Sequence, residues 1–312
     1  MSLDHAKIAA VVKEAYDKFA QAAGGENASY IPYLASVPSS LAGVTVVTKD
    51  GSVFECGDSN YEFALESISK VFSLALALED VGAEEVHNKI GADPTGLPFN
   101  SVMALELHGG KPLSPLVNAG AMATVSLIKA SNPEDRWSRI LGMQSQLAGR
   151  QIALSEEINR SEQTTNFHNR AIAWLLYSAG AMYSDPMEAC DVYTRQCSTL
   201  ISTKDLAVMG ATLAAGGINP LNKQRVLKAE NVPRILAEMT MEGLYDSSGD
   251  WAYTVGLPGK SGVGGGILAV APGQLAIAGF SPPLDPIGNS VRGQLMVAHI
   301  AKELGLNLYA IN

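Results

Sequence analysis

The sequence predicts a mixed α/β protein in which both ends of the chain build one antiparallel sheet, flanked by helices, with an all-helical segment inserted between them. Near the start, residues 41–57 hold two β-branched runs around an Asp-Gly dipeptide, a strong hairpin signal. Near the end, residues 261–270 alternate small and aliphatic residues, which predicts a strand, and a Pro-Gly turn leads to a returning strand over 274–280. Residues 71–250 show almost no strand pattern and repeated helical periodicity.

Taken in chain order, predicted helices surround these strands. Apolar residues over 5–23 recur at helical spacing with charges between them, which predicts an amphipathic helix rather than a signal peptide. An apolar run over 71–78 predicts a helix that Ser67 opens, and residues 290–304 are predicted as the last helix. The helices predicted between them cover 119–129, 134–147, 168–183, 186–196, 203–215 and 233–242, with loops at 94–98 and 109–112.

This order of elements predicts two domains. Residues 1–70 and 251–312 would form a discontinuous α/β sheet domain, and residues 71–250 would form a helical domain. Because ligand sites form preferentially where domains meet, we expect the active site at the junction of the two.

Composition argues against several classes of function. The chain of 312 residues has a net charge of −9 and no basic stripe, which argues against a nucleic-acid partner, because phosphates require clustered Lys and Arg. No apolar stretch approaches the length of a membrane span, so we expect a cytoplasmic protein without a membrane partner. Three cysteines without C-x-x-C spacing predict free thiols, and five histidines in no ligand pattern argue against a metal site.

Two short motifs predict serine acyl-transfer chemistry. Ser67 and Lys70 form a Ser-x-x-Lys motif, and Lys260 begins a Lys-Ser-Gly motif in a glycine-rich run. A lysine three residues after a serine lies on the same helix face, and it can take the hydroxyl proton if it is neutral, which burial and a second cation such as Lys260 favour. A serine that opens a helix also places its backbone N–H at the positive end of the helix dipole, where an oxyanion is stabilised.

The chain holds a second Ser-x-x-Lys copy at Ser126 and Lys129. This copy ends an apolar helix and runs directly into a helix stop at residues 130–133, so we interpret it as structural. His168 stands between an aromatic and an amide residue, and we interpret it as a supporting residue rather than a catalytic one.

Placed on a sheet of both chain ends with a helical insertion, the two motifs resemble the serine β-lactamase and penicillin-binding-protein fold. The surrounding sequence resembles the bacterial glutaminases of that superfamily over nearly the whole chain. No Ser-x-Asn or Tyr-x-Asn of the lactamase pattern occurs, so the third catalytic group must come from elsewhere. The stretches that carry the resemblance are 30–32, 66–71, 91–101, 115–121, 166–170, 214–217 and 259–266.

The resemblance implies hydrolysis of L-glutamine to L-glutamate and ammonia through a serine-bound γ-glutamyl intermediate. It implies an amidohydrolase that acts on a linear amide, works without a metal or organic cofactor, and associates as a homodimer or homotetramer. A free amino acid as substrate fits these residue types, because its ammonium requires a buried acid and its carboxylate a set of neutral donors.

The resemblance also implies roles for individual residues. The catalytic set is Ser67, Lys70, Tyr245 and Lys260, and the substrate-binding set is Tyr30, Ser67, Asn118, Glu162, Asn169, Tyr193, Tyr245 and Val263. Within these sets, Glu162 is expected near the substrate ammonium and Tyr245 beside the nucleophile. The backbone N–H groups of Ser67 and Val263 are expected to form the oxyanion hole.

Alternatives stay open at this point. The chain could be a penicillin-recognising serine hydrolase or peptidase, or a non-catalytic amino-acid-binding protein on the same fold. Tyr30 and Tyr193 could be packing residues, Asn118 a helix N-cap, and Glu162 a solvent-facing acid. Which of the two motif lysines is the principal base is not fixed by the sequence.

Overall fold

The computed structural model describes residues 4–310 and confirms the predicted fold class, an antiparallel sheet flanked by helices. The strands are β1 (Gly43–Thr48), β2 (Val53–Gly57), β3 (Phe63–Ala64), β4 (Ala153–Leu154), β5 (Thr199–Ile201), β6 (Gly259–Ser261), β7 (Gly266–Ala271) and β8 (Leu275–Phe280). The helices are α1 (His5–Phe19), α2 (Pro32–Ser36), α3 (Ser69–Val81), α4 (Ala83–Lys89), α5 (Val102–Leu107), α6 (Asn118–Leu127), α7 (Pro133–Ala148), α8 (Glu156–Gln163), α9 (Phe167–Ser178), α10 (Pro186–Cys197), α11 (Thr203–Ala214), α12 (Val232–Glu242), α13 (Ser248–Thr254) and α14 (Val291–Glu303).

The main sheet joins the two ends of the chain. Its strand order is β2-β1-β8-β7-β6, and every neighbouring pair is antiparallel. Strand β1 pairs with β8 in a register that sets Val46 opposite Ile277. The predicted hairpin of β1 and β2 is present, and Gly51 in its turn has a φ of 101°, a conformation that glycine adopts without strain.

Both faces of the main sheet are buried, because alternate side chains of its central strands point to opposite helix layers. On one face, Val44, Ile267 and Ile277 share a core with α1 and α14. On the other face, α11 crosses β1, β7 and β8. Gly210 of α11 permits this close approach, since a Cβ there would lie 2.5 Å from Leu268 Cδ1.

The run 261–270, predicted as a single strand, is two strands. Strand β6 ends at Ser261, residues 262–265 turn the chain back, and Ser261 pairs with Ile267 of β7. Gly265 has a φ of 96°, and its N–H donates to the Gly262 carbonyl at 3.0 Å. In the sequence the glycines of this turn look like a continuation of a small-residue strand, but the freedom of Gly265 at positive φ allows the turn.

Two helices end four or five residues earlier than predicted, and the three short strands β3, β4 and β5 have no counterpart in the prediction. Helix α1 ends at Phe19, and α9 ends at Ser178, just before Gly180 with a φ of 73°. Within the predicted helical segment, β4 and β5 pair antiparallel, and β5 also pairs with β3. These strands are two or three residues long, too short for a period of two to be visible in the sequence.

The small sheet β3-β5-β4 sets the position of the Ser-x-x-Lys motif. The Leu65 N–H extends the pairing by donating to the Thr199 carbonyl at 2.9 Å. The residues just after β3 therefore lie beside the end of α10, which precedes β5 in the chain. This contact brings side chains of the middle segment to the start of α3.

Helix α11 belongs to the predicted helical segment but packs directly on the main sheet. The domain limits 1–70 with 251–312 and 71–250 therefore stay a prediction, and residues 1–3 and 311–312 lie outside the described part of the chain.

The cysteines are free thiols, as predicted. Between residues 4 and 310, no helix is both long and apolar enough to cross a membrane.

Candidate active site

Ser67 lies in a turn with an unusual backbone conformation. It is the middle residue of the one-turn 3₁₀ helix Glu66–Ile68, which leads directly into α3, and it is not the first residue of the α-helix itself. Glu66 has a φ of 50°, a left-handed conformation that is costly for a non-glycine residue and clusters at functional sites. Ser67 is 6% exposed, and its backbone N–H makes no hydrogen bond to another described residue. The turn thus presents a hydroxyl together with an unpaired N–H.

Lys70 follows one turn later and touches the Ser67 hydroxyl. Its Nζ donates to Ser67 Oγ at 2.7 Å and to Asn118 Oδ1 at 2.8 Å. Burial lowers the pKa of Lys70 to about 8, although the acidic groups around it oppose this shift. An appreciable fraction of Lys70 is therefore neutral near pH 8, and a neutral amine at this distance can accept the Ser67 proton.

Lys260 lies against the face of the Tyr245 ring, with Nζ 4.4 Å from the ring centroid. Its Nζ donates to the carbonyls of Gly243 and Ser261 at 2.9 and 2.8 Å, and within residues 4–310 it makes no hydrogen bond to Ser67. Burial and the charge of Lys70 lower the pKa of Lys260 well below its usual value. Of the two motif lysines, Lys70 is the one in contact with the Ser67 hydroxyl.

Tyr245 combines a buried phenol with an unused hydrogen-bonding group. It has a φ of 54° and is 2% exposed, and its hydroxyl has no hydrogen-bond partner among the described residues. Burial raises the pKa of Tyr245, although the hydroxyls of Ser67 and Ser261 oppose the shift. Its ring packs on that of Phe99, with the centroids 4.5 Å apart. A protonated phenol beside Ser67 is suited to protonate a leaving group.

Ser67 lines a cavity of about 230 Å³. Every residue of the predicted substrate-binding set except Tyr245 also lines this cavity, although these residues come from distant parts of the chain. The remaining lining residues are Ile31, Glu66, Phe99, Asn100, Thr165, Asn166, His168 and Cys197. The structure therefore brings together the residues that the resemblance selected.

Neutral amide and phenol groups form one part of the cavity wall. Asn118 Nδ2 donates to Asn169 Oδ1 at 3.0 Å, and the Tyr193 hydroxyl donates to Asn118 Oδ1 at 3.2 Å. Asn118 is the first residue of α6, whose N-cap is Val117, so the alternative role of Asn118 as an N-cap is wrong. Tyr193 is 4% exposed, whereas Tyr30 is 59% exposed.

Acidic groups form another part of the wall. Glu162 of α8, Glu66, and Cys197 of α10 each place a side-chain oxygen or sulfur within 4.8 Å of the other two. The Ser198 hydroxyl lies 2.9 Å from Glu162 Oε1 and 2.8 Å from the Thr194 carbonyl, and it can donate to either. Burial raises the pKa of Glu162 to about 7 and the pKa of Glu66 well above its usual value. Glu162 is therefore a cavity-wall residue, and the alternative of a solvent-facing acid is wrong.

Val263 lies in the glycine turn between β6 and β7. Like the N–H of Ser67, its N–H makes no hydrogen bond within the described part of the chain, and both residues line the cavity. Gly264 lets this turn approach the chain just before Ser67, since a Cβ there would lie 2.3 Å from the Ala64 carbonyl oxygen. Two unpaired N–H groups thus belong to one cavity wall, an arrangement that can hold an oxyanion.

Of the eight cavity residues outside the predicted set, three contribute an acid, an aromatic ring and a thiol to the wall: Glu66, Phe99 and Cys197. The available signal for Glu66 was its place directly before the proposed nucleophile, but a single sequence does not show that this acid is 3% exposed. Phe99 directly follows the loop predicted at 94–98 and lies in the stretch 91–101 that carries the resemblance, but neither pattern gives its side chain a role. Its carbonyl accepts from the Asn118 N–H at 2.8 Å, which ties the loop to α6.

The second Ser-x-x-Lys copy and His168 have structural contacts. The Ser126 hydroxyl accepts from the Tyr183 N–H at 3.0 Å, and Lys129 is exposed. His168 Nε2 lies 2.7 Å from the Asn100 carbonyl oxygen and ties α9 to the loop that carries Phe99. These contacts agree with the structural interpretation of both features.

Comparison with known proteins decides the family. The family model described as Glutaminase matches residues 25–309. This chain belongs to the glutaminase family. Glutaminase 1 of Escherichia coli (strain K12) is 71% identical over 307 residues, which cover 98% of this chain and 99% of that protein. A solved structure of a probable glutaminase, also 71% identical, covers 99% of this chain and 100% of its own with a TM-score of 0.98.

A more distant structure shows the same fold. The protein Mglu, solved in its glutamate form, is 35% identical with a TM-score of 0.90, and the match covers 99% of this chain and 71% of that one. Family membership confirms the resemblance predicted from the motifs. It also confirms the predicted enzyme class: the protein is a glutaminase, an amidohydrolase.

Proposed function

We propose that this glutaminase hydrolyses L-glutamine to L-glutamate and ammonia through a γ-glutamyl ester on Ser67. The observation that carries the proposal is the 2.7 Å hydrogen bond between Lys70 Nζ and Ser67 Oγ, in a cavity of a chain that belongs to the glutaminase family. A serine hydroxyl is a weak nucleophile unless a base takes its proton. Lys70, with its lowered pKa, supplies that base.

In the first half-reaction, Ser67 Oγ attacks the side-chain amide carbon of glutamine while Lys70 takes its proton. The N–H groups of Ser67 and Val263 stabilise the tetrahedral oxyanion. Tyr245 gives its phenolic proton to the amide nitrogen, so that the C–N bond breaks and ammonia leaves, and Lys70 returns a proton to Tyr245. Lys260 holds Tyr245 in place through the contact of its Nζ with the ring face.

In the second half-reaction, water replaces ammonia in the site. Lys70, neutral again, takes a proton from water as the water oxygen attacks the ester carbon. The ester C–O bond breaks, Ser67 recovers its proton, and L-glutamate is released. The same two N–H groups stabilise the oxyanion of both half-reactions.

The cavity wall supports recognition of a free amino acid. We propose that Glu162 binds the α-ammonium, since it is a carboxyl group placed among other acidic groups. The neutral groups of Tyr30, Asn118, Asn169 and Tyr193 would surround the α-carboxylate and the amino end. Such donors replace the hydration that both charged groups lose on entering the cavity.

The test is release of glutamate and ammonia from L-glutamine by the purified protein, with a chromogenic β-lactam assayed beside it. We expect Ser67→Ala to abolish turnover with the fold intact, while the matched variant Ser126→Ala in the second Ser-x-x-Lys copy retains turnover. Turnover by Ser67→Ala together with loss in Ser126→Ala would contradict the proposal. β-Lactam hydrolysis without ammonia release would favour a penicillin-recognising enzyme, and glutamine binding without turnover would favour a non-catalytic binding protein.

We also propose that the chain forms a homodimer or homotetramer. Helices α5 and α9 pack against each other and carry five exposed large apolar side chains, which we term the apolar patch: Met103, Leu107, Phe167, Trp174 and Tyr177. Their spacings of three, four and seven residues place them along common helix faces. A group of this kind is commonly covered by a protein partner, and a second copy of the chain is the partner that the resemblance implies.

The cytoplasmic location stays a prediction.

A further inference from the structure

Glu66 is an enclosed acid to which the mechanism assigns no role. It is 3% exposed, and its Oε1 is buried without a hydrogen-bond partner in the described part of the chain. The glycine turn closes over its stem: a Cβ at Gly264 would lie 3.2 Å from Glu66 Cγ, and one at Gly262 would lie 3.3 Å from Glu66 Cβ. An ionised carboxylate is costly in such a place, because no donor replaces its lost hydration.

Glu162 makes ionisation of Glu66 more costly still. A carboxyl oxygen of each residue lies within 4.8 Å of the other. Two carboxyl groups at this separation in a poorly hydrated site do not both ionise readily, because the second negative charge is repelled by the first. Glu66 is the more enclosed of the two, whereas Glu162 is partly exposed and has the Ser198 hydroxyl at 2.9 Å. A single proton on the two carboxyl groups is therefore bound by Glu66 rather than by Glu162.

Building on the function proposed above, we infer that the two carboxyl groups share one proton, held by Glu66, and that protonated Glu66 is a positioning residue for the reaction. With Glu66 protonated, Glu66 and Glu162 together carry one negative charge, which matches the single ammonium of the amino acid. Protonated Glu66 also keeps a negative charge away from Ser67, its neighbour in the chain. An ionised Glu66 would favour the protonated form of Lys70 and would oppose the oxyanion at the Ser67 N–H, so attack would be slowed.

The direction of the pH dependence follows from the groups around Glu66. Burial raises the pKa values of the phenols of Tyr193 and Tyr245 and of the Cys197 thiol, so these groups stay neutral as Glu66 ionises. Raising the pH removes the shared proton, and kcat/KM is therefore lost on the alkaline side. The titratable groups that face Glu66 are Lys70 of α3, Glu162 of α8, Tyr193 and Cys197 of α10, and Tyr30 and Tyr245 of the connecting segments.

The test is the pH profile of kcat/KM for L-glutamine in the full-length enzyme. Glu66→Gln keeps the shape of the side chain but has no proton to lose, so we expect the midpoint of the alkaline fall to move up by about one pH unit or more. Glu238→Gln is the matched control. Glu238 is also a buried acid, whose pKa burial raises to about 7, but it does not line the cavity, and its replacement should leave the midpoint unchanged. The same alkaline midpoint in Glu66→Gln and wild type would overturn the inference.

A second measurement covers the case in which Glu66→Gln is too slow to assay. Infrared difference spectra are recorded about one pH unit above the pKa of about 7 that burial gives Glu162 and Glu238, so that both of those carboxyl groups are mostly ionised. We expect a C=O band of a protonated carboxyl group in the wild type that Glu66→Gln lacks, and a wild type without that band would reject the shared proton. This readout needs no turnover, so it is separate from the proposed function, which would fail if the wild type released no ammonia.

Discussion

At the scale of single residues, burial decides the protonation of the groups around Ser67. Lys70 and Lys260 are both fully enclosed, and burial lowers the pKa of each. Tyr245 and Glu66 are enclosed in the same region, and burial raises the pKa of each. Above the Lys70 pKa of about 8, the groups around the hydroxyl are therefore a neutral amine, a protonated phenol and a protonated carboxyl group. Transfer of protons to and from a serine ester requires such a set.

The first prediction at this scale concerns Lys70 as the base. On the acid side of the profile, kcat/KM should rise with pH through an apparent pKa near 8, because Lys70 must lose its proton before it can take one from Ser67. Lys70→Arg should lower kcat/KM by about 100-fold to 10,000-fold, since a guanidinium does not act as a base. A profile that is flat across this range, or an active Lys70→Arg variant, would exclude the lysine base.

The second prediction concerns Glu162 and the substrate ammonium. Glu162→Gln removes one charge at nearly constant shape, so the ammonium loses a contact of about 1.5–3 kcal/mol. The loss should appear as a KM about 10-fold to 100-fold higher, with kcat little changed, because the ammonium is remote from the reacting amide. Wild-type enzyme should also reject N-acetyl-glutamine, which has no ammonium. Normal glutamine binding by Glu162→Gln with good turnover of N-acetyl-glutamine would show that other residues bind the amino end.

At the scale of elements, the sequence predicts a helix or strand well where an apolar pattern repeats over several periods. It predicts poorly where the backbone conformation of single residues determines the structure. The hairpin of β1 and β2 and the helices α7, α10 and α12 lie close to their predicted bounds, because each carries several periods of its apolar pattern. The strand predicted over 261–270 is two strands, because four residues with three glycines turn rather than extend. The turn conformation of Glu66 has no sequence signal, since few non-glycine residues adopt positive φ.

Two helix glycines give a matched prediction about packing. A Cβ at Gly210 of α11 would lie 2.8 Å from the Ala276 Cβ of β8, so Gly210→Ala should lower the thermal unfolding midpoint through overpacking that costs about 1–3 kcal/mol. A Cβ at Gly142 of α7 would meet nothing within 4 Å, so Gly142→Ala should raise the midpoint through a gain of about 0.5–1 kcal/mol in helix propensity. Equal shifts of the same sign, measured by calorimetry, would contradict this account of how α11 packs on the sheet.

At the scale of the whole molecule, the site is assembled from both chain ends and the middle. Lys260 and Val263 come from the C-terminal part of the main sheet and its turn, while Asn118, Glu162 and Tyr193 come from helices of the middle segment. The motifs and the family resemblance were enough to select these residues. The burial of Glu66 and the packing of Phe99 on Tyr245 depend on contacts between distant segments of the chain. Such contacts leave no local pattern in a single sequence.

The apolar patch gives a prediction about assembly. Light scattering after size exclusion should give the wild type a mass that is a multiple of the 32.8 kDa of one chain. Trp174→Glu places a charge in the patch and should shift the protein toward the monomer mass, because desolvating that charge opposes association. Tyr253→Glu is the matched control, since Tyr253 is 88% exposed and lies outside the patch. A monomeric wild type, or equal effects of both variants, would contradict the proposed assembly.

Covalent trapping tests the central claim, a glutamyl acyl-enzyme on Ser67, most directly. An electrophilic glutamine analogue carrying a diazo-ketone, incubated with the enzyme and mapped by peptide mass spectrometry, should modify Ser67, and excess L-glutamine should protect it. Ser67→Ala should take up no label, and Ser126→Ala should be labelled like the wild type. The Cys197 thiol lies on the same cavity wall and is the competing site for the label. Label on Cys197 in place of Ser67, or labelling of Ser67→Ala at the wild-type rate, would contradict the serine mechanism.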